Sequence, residues 1–369
     1  MDTPRFTQDL REAGDPALVG GKAANLGRLI RAGFPVPDGF VVTTRAYLHA
    51  RSRAQTKDLC ADVAGEILAS YRALGEPIVA VRSSATAEDL ADASMAGQYE
   101  TFLNVQGGQA LLDAVRRCWA SLDGPRVRTY LREHRIDPSG VTVAVVVQRM
   151  IPADVAGVLF TTSPQPGASH EMLLEASWGL GEMVVSGRVQ PDVWRLDQDT
   201  GRVLSAQIAD KRVILSPGAS DQSPVEAERR REPCLGSSDL EQLWQVGTRV
   251  AGHFGRPMDI EWAIHCGEVS LLQARPITTL MHADAGDEIV RTTQRRLRDA
   301  LSAGRGPWVL HNLAETLPHP TPLTWGVIQR FMSGLGGLGR MYRQAGFQPS
   351  PIADHEGFLD CIAGRIYMD

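Results

Sequence analysis

Residues 141–150, VTVAVVVQRM, restrict the fold most tightly. Five apolar residues in a row, Val143 to Val147, are far too few to cross a bilayer. All but Ala144 are β-branched, and no polar residue breaks the run, the pattern of a strand covered on both faces. Such a strand needs a layer above it and a layer below. At 369 residues with 43% hydrophobic content there is room for two or three cores.

The flanking segments supply those layers. Residues 15–48 read as turn, helix, turn, strand. Gly20-Gly21 is expected to open the helix, Ala23, Ala24, Leu26, Leu29 and Ile30 to form its apolar stripe, and Gly33 to stop it. Residues 78–82, IVAVR, form a short buried strand ending in a charge, and 108–122 read as helix. GVLFTT (157–162) and EMLLEAS (171–177) are further strands. The Ser-, Pro-, Glu- and Arg-rich residues 213–237 are expected to be an exposed loop. Ser237-Ser238-Asp239 then caps a helix with Leu240, Leu243, Val246 and Val250 on one face, ended by Gly255. DIEWAI (259–264) and EVSLLQAR (268–275) form a hairpin turned at His265-Cys266-Gly267. After Thr279 the chain becomes charged. The expected division is residues 1–280, a linker over 281–307, and a new domain starting within 308–369.

Bulk properties narrow the function. A net charge of −5 does not suggest a nucleic-acid partner. Five cysteines, odd in number and without a CxxC pair, fit reduced thiols better than disulfides or zinc. The polar N-terminus does not read as a signal peptide. A soluble, cytoplasmic protein with no membrane partner is expected. Lysines are scarce, three (Lys22, Lys57, Lys211) among 38 basic residues, so a lysine at a chemically apt position stands out.

Four constellations carry possible chemistry. Lys22 follows two glycines at a helix start, where unpaired N–H groups and the helix dipole favour phosphate; an ordinary turn with a solvated lysine fits the same residues. Ala23 after Lys22 rules out the GxxxxGK[ST] phosphate loop. Arg82 ends a buried strand and must face an anion or water; the small-residue loop Ser94-Met95-Ala96-Gly97 after it suits either a flap over phosphates or a mobile surface loop. In the hairpin, residues two apart share a face, so Asp259 and Glu261 meet Gln273 and Arg275, a set suited to Mg²⁺ through hard oxygens with Arg on phosphate. Ile260, Trp262 and Leu272 are expected to pack beneath. A surface hairpin with a Glu261–Arg275 salt bridge is the plainer alternative. The end of the long strand, Gln148, Met150 and Ile151, leaves backbone groups that could read an adenine edge, or it is plain core. No HxxxH, HExxH or GxSxG pattern is present.

These pieces occur in the order and wording of one family. VGGKAANLGRLIRAGFPVPDGFVVTT, IVAVRSSATAEDLADASMAGQYETFLNV, VLFTTSP, LLEASWGLGEMVVSGRVQPD and GRPMDIEWAI…LLQARPIT resemble the nucleotide domain shared by phosphoenolpyruvate synthases, pyruvate phosphate dikinases and rifampin phosphotransferases, over about Val19 to Thr279. The resemblance implies an ATP-grasp fold of the α/β (α+β) class, two lobes around a nucleotide cleft, followed by a linker and the start of a mostly helical domain.

It also implies roles for particular residues. Lys22 would bind phosphate and Arg82 the transferring phosphoryl group. Ser94, Ala96, Gly97 and Gln98 would form the flap, and Gln148, Met150 and Ile151 the adenine pocket. Glu261 and Gln273 would hold Mg²⁺, with Asp259 beside them and Arg275 on phosphate. Glu175 and Glu182 would touch ribose or stabilise the lobe. Arg117 would face phosphate, with Arg116 its rival.

The implied reaction moves a phosphoryl group from ATP to a histidine on a swivelling domain, releasing AMP and phosphate, and then to a small-molecule acceptor. One departure matters: none of the nine histidines sits in a GGxx[ST]H loop. The tail HNLAETLPHPTPLTW looks like the middle domain of the rifampin branch, which is therefore favoured, with the histidine domain expected in trans or on a missing part of the chain. A non-catalytic ATP-binding subunit or truncated fragment, and an ADP-releasing ATP-grasp ligase, are the alternatives.

Overall fold

The computed structural model describes residues 5–277 apart from 53–58, 87–88, 91–92, 95–99, 125–139, 166–167 and 220, and short segments beyond 277. The chain divides into two units, Met1–Leu280 and Met281–Asp369.

The first unit begins with a lobe built from β1 (Thr7–Asp9), α1 (Pro16–Arg31), β2 (Gly39–Val42), α2 (Thr44–Ser52), α3 (Ala61–Ala73), β3 (Val79–Ala85), the two-residue strands β4 (Asp89–Leu90) and β5 (Ala93–Ser94), β6 (Thr101–Val105), α4 (Gly108–Ala120) and β7 (Val143–Arg149). Its main sheet has the order β1-β2-β7-β3-β6, with every pairing antiparallel. The apolar run at 143–147 is a central strand of this sheet. Val143, Val145 and Val147 enter a core under α2, α3 and α4, while Ala144 and Val146 enter a second core under α1. Burial on both faces explains the absence of a polar alternation.

Helix α1 differs from expectation at its start. It begins at Pro16, capped by the Asp15 carboxylate, which accepts from Ala17 N–H at 3.0 Å. Gly20 then breaks the helix with φ 75°, and the turns from Gly21 onward form a second helical section. A side chain at Gly20 would lie 2.2 Å from the Ser84 carbonyl oxygen, so only glycine allows the helix to start against β3. Ala23 N–H donates to Ser84 Oγ at 3.3 Å across the same contact.

The second lobe contains β8 (Val155–Phe160), β9 (Glu171–Trp178), the short helix α5 (Glu182–Val185), β10 (Asp192–Asp197), β11 (Val203–Gln207), β12 (Val213–Ile214), β13 (Ser223–Pro224), α6 (Ser237–Phe254), β14 (Met258–His265) and β15 (Glu268–Pro276). Six strands make an antiparallel sheet, β11-β10-β9-β8-β14-β15. One face packs on α6 through Leu240, Leu243, Val246 and Val250, against Leu159, Leu174, Ile260 and Trp262. Gly236 N–H donates to the Asp239 carboxylate at 2.9 Å at the start of α6, and Gly255 closes it in the left-handed conformation. The β14–β15 turn is Cys266-Gly267, both with positive φ, as a two-residue hairpin requires.

Residues 213–237 are not simply an exposed loop. β12 and β13 pair, Leu215, Val225, Cys234 and Leu235 are buried, and Lys211 just before them is wholly enclosed with Asp192. Composition misleads here because a few anchors pin a largely polar strap. In the second unit, the described residues include β16 (Val309–Leu310), α7 (Gly337–Gln344), β17 (Leu359–Ile362) and β18 (Arg365–Met368). The three strands form an antiparallel sheet, which the reading of a mostly helical domain did not anticipate.

Candidate functional site

The face of the six-stranded sheet opposite α6 carries its polar residues, and a cavity of about 390 Å³ lies between this face and the first lobe. That volume suits a small-molecule site. The antiparallel register places Glu261 opposite Gln273 and Asp259 opposite Arg275. The register then slips between Glu261 and Trp262, leaving Leu272 as an extra residue. Leu272 was expected to pack beneath with Ile260 and Trp262. The bulge instead turns it to the cavity wall, where its carbonyl accepts from Arg82 Nη1 at 3.1 Å; Leu271 and Ala274 join Ile260 and Trp262 in the core.

The first lobe contributes cations. Lys22 lines the cavity from the start of the long section of α1, its Nζ donating to the Ser83 carbonyl at 3.1 Å. Arg82, in mid-strand rather than at a strand end, reaches the Glu261 carboxylate at 3.4 Å, and its buried Nε has no hydrogen-bond partner among the described residues. A nearly buried guanidinium with one donor unused is poised for another acceptor. Arg275 does not pair with Glu261. Its Nε and Nη2 both reach Asp259 Oδ2, at 2.8 and 2.7 Å. The Asp259 carboxyl is pushed up by burial, against the pull of Arg275 and with a further push from Glu261. The half-buried Glu175, on β9, is also pushed up, by burial first and by Asp259 second. Asp259 and Glu175 are not among the residues that line the cavity.

The far end of the cavity is formed by Gln148, Met150 and Ile151. Gln148 is buried, with Nε2 donating to the Pro37 carbonyl at 3.4 Å. Not all backbone groups expected to be free there are free: Arg149 N–H is bound to the Asp38 carbonyl and Met150 N–H to that of Ile78. Glu182, on α5, lines the same end and lies 3.8 Å from Arg188.

Lys22, Arg82, Gln148, Met150, Ile151, Glu182, Glu261, Gln273 and Arg275 thus share one cavity. Arg117 does not join them. Its guanidinium stacks 4.1 Å from the Phe102 ring centre, and Arg116 pairs with Asp113 at 2.8 Å. Ser94 ends the two-residue strand β5, and Ala96, Gly97 and Gln98 lie outside the described residues. Thr101, Leu103, Leu180 and Gly181 also line the cavity and were not singled out from the sequence. Leu180-Gly181 directly precedes Glu182 in a glycine-rich stretch, the one local signal that pointed to it.

Comparison with known proteins agrees with this architecture. The chain matches the family described as pyruvate phosphate dikinase, AMP/ATP-binding domain, over residues 16–56 and 49–296. It is 40% identical over 332 residues to a probable phosphoenolpyruvate synthase of Methanothermobacter thermautotrophicus, covering 79% of this chain and 48% of that protein. It is 39% identical over 316 residues to a rifampicin phosphotransferase of Streptomyces sviceus, covering 75% and 36%. A probable phosphoenolpyruvate synthase of Archaeoglobus fulgidus is 38% identical over 306 residues, covering 72% and 40%. The chain therefore spans half or less of the length of these relatives. Two α/β lobes facing across a cavity, and a match running through both of them, make this chain a member of the pyruvate phosphate dikinase AMP/ATP-binding domain family.

Proposed function

We propose that this chain binds ATP in the interlobe cavity and transfers a phosphoryl group to a histidine on a swivelling domain, with AMP and phosphate as the overall products. One observation carries the proposal: Lys22 and Arg82 of one lobe and Glu261 and Gln273 of the other line a single cavity of about 390 Å³. The Met150 carbonyl and Ile151 N–H would read the adenine edge. Lys22, Arg82 and Arg275 would hold the phosphates, and Ser94 to Gln98 would close over them. Positioning and charge neutralisation suffice for such a transfer, which needs little covalent help from the protein.

The donor set fits Mg²⁺. Glu261 and Gln273 present a carboxylate and an amide oxygen at paired positions on adjacent strands, both hard ligands. Nearby Asp259 and Glu175 are pushed up in pKa chiefly by burial, with a smaller push from a neighbouring carboxylate on each, and a divalent cation would favour their charged forms. The ion would neutralise phosphate charge. Arg82 would exchange part of its contact with Glu261 for a phosphate oxygen, using its spare Nε.

The histidine would come from a separate domain, because no GGxx[ST]H loop occurs in this sequence. Residues 281–307 would serve as linker and 308–369 as part of a middle domain. The final acceptor would be a small molecule, pyruvate or an antibiotic. Identities of 40% and 39% to a synthase and an antibiotic phosphotransferase do not favour one branch, so the rifampin preference drawn from the tail rests on the tail alone. No described helix is long and apolar enough to cross a membrane, and a cytoplasmic location belongs to the same proposal.

The test is calorimetry with ATP, with and without Mg²⁺, followed by incubation with MgATP and a separately supplied phosphohistidine domain. AMP with a phosphorylated partner is the expected result. Steady ADP release without the partner would replace it with a ligase-type reaction, and binding without turnover with a non-catalytic role. Supplying pyruvate or a rifamycin in turn identifies the branch.

A further inference from the structure

β6 contains a bulge that has no role in the cavity chemistry. Val81 pairs with Phe102 and Val79 with Val105, so Leu103 and Asn104 together face Ala80 alone. Asn104 sits at φ 56°, a conformation that asparagine tolerates better than most residues. The bulge aims its amide across to the second lobe. There Nδ2 donates to the Ala219 carbonyl at 2.7 Å, and Oδ1 accepts from Gly218 N–H at 2.9 Å. Both partners belong to the strap between β12 and β13.

The strap connects this contact to the cavity wall. Its near end is anchored by the enclosed Lys211–Asp192 pair. In between, Leu215 bridges Gly179, and its carbonyl accepts from Leu180 N–H at 2.9 Å. Gly179 has φ 78°, and a side chain there would meet the Leu215 oxygen at 2.5 Å, so the fit is close. Leu180 lines the cavity beside Met150 and Ile151, and Leu103 closes the same apolar cluster from the first lobe. Asn104 itself does not line the cavity.

We propose that Asn104 is an interlobe latch: by holding the strap at Gly218 and Ala219, it sets the width of the cavity at the Met150–Leu180 end without touching the ligand. It is a positioning residue, and the part of the inference that concerns ligand rests on the nucleotide proposal above. Because the latch acts at the end assigned to adenine, it should govern adenosine, AMP and ATP to the same degree.

The test uses Asn104→Gly, which keeps the positive φ and the bulge but removes both amide contacts. Hydrogen exchange without ligand is expected to speed up across residues 213–224 and at Leu180 N–H, with exchange in β7 unchanged. Adenosine, AMP and ATP should each lose affinity by a common factor of about five to 150, the range set by two hydrogen bonds. Asn104→Asp keeps an acceptor for Gly218 N–H but sets a carboxylate oxygen against the Ala219 carbonyl, so it should show the same faster exchange in the strap and a common loss for all three ligands; it decides the matter if the glycine variant does not fold. Unchanged exchange in the strap would overturn the latch, as would a loss confined to ATP. Should the unaltered protein bind no adenine nucleotide, the exchange measurement still stands, and only the nucleotide proposal fails.

Discussion

Two ion pairs involving the polar residues of the second lobe differ in almost every respect but charge. Lys211 and Asp192 are 0% exposed and 2.5 Å apart. Asp192 also accepts from Ala209 N–H at 2.8 Å and Cys234 N–H at 3.0 Å, and Lys211 Nζ donates further to the Ala209 carbonyl. Arg82 and Glu261 are 11% and 22% exposed, 3.4 Å apart, and border the cavity with Arg82 Nε unused. The closed pair joins a strap to a strand and leaves no room for a third party. The open pair joins two lobes and leaves capacity for one. Burial of charge therefore marks structure where the hydrogen-bonding is complete, and a candidate site where it is not.

That contrast can be broken most sharply at the closed pair. Lys211→Met leaves the Asp192 carboxylate buried without its counter-ion, and stability in urea denaturation should fall by about 3–5 kcal/mol. A variant as stable as the parent would show that the pair holds nothing together. Next comes Arg82→Met, which should weaken MgATP binding about 100-fold in calorimetry, the scale for losing one partner of a buried charged contact. Its urea midpoint should stay near that of the parent, because an incompletely paired guanidinium contributes little net stability. A large stability loss there would make the open pair structural after all.

Glu261→Gln keeps the shape and removes the charge. About a tenfold loss of affinity in the presence of Mg²⁺ is expected, with affinity in its absence unchanged. Persistence of the full Mg²⁺ effect would move the metal elsewhere. The smallest effect is a labelling pattern. Iodoacetamide should modify the exposed Cys266 in the folded protein and spare Cys118, whose thiol is pushed up to about 12 chiefly by burial. Cys234 is likewise buried and pushed up, with Asp192 adding to the effect. Lys211→Met removes a charge that pulls this thiol down, so labelling of Cys234 there would report opening of the strap and not a more acidic thiol; in Arg82→Met it should stay protected, as read by mass spectrometry.

Local pattern determined a good deal. The unbroken Val143–Val147 run placed a strand between two layers, and alternation along DIEWAI and EVSLLQAR put Asp259, Glu261, Gln273 and Arg275 on one face, because side-chain direction follows from backbone period alone. The glycine before Lys22 marked a helix start, though the helix had already begun at Pro16, since capping by Asp15 is a separate local event. Partner choice was beyond sequence pattern. Arg275 chose Asp259 over Glu261, Leu272 left the core at a bulge, Lys211 found Asp192, and Asn104 reached residues more than a hundred positions away. Each of these depends on how packed elements approach in space, and periodicity carries no information about distances between segments that meet only once the lobes are assembled.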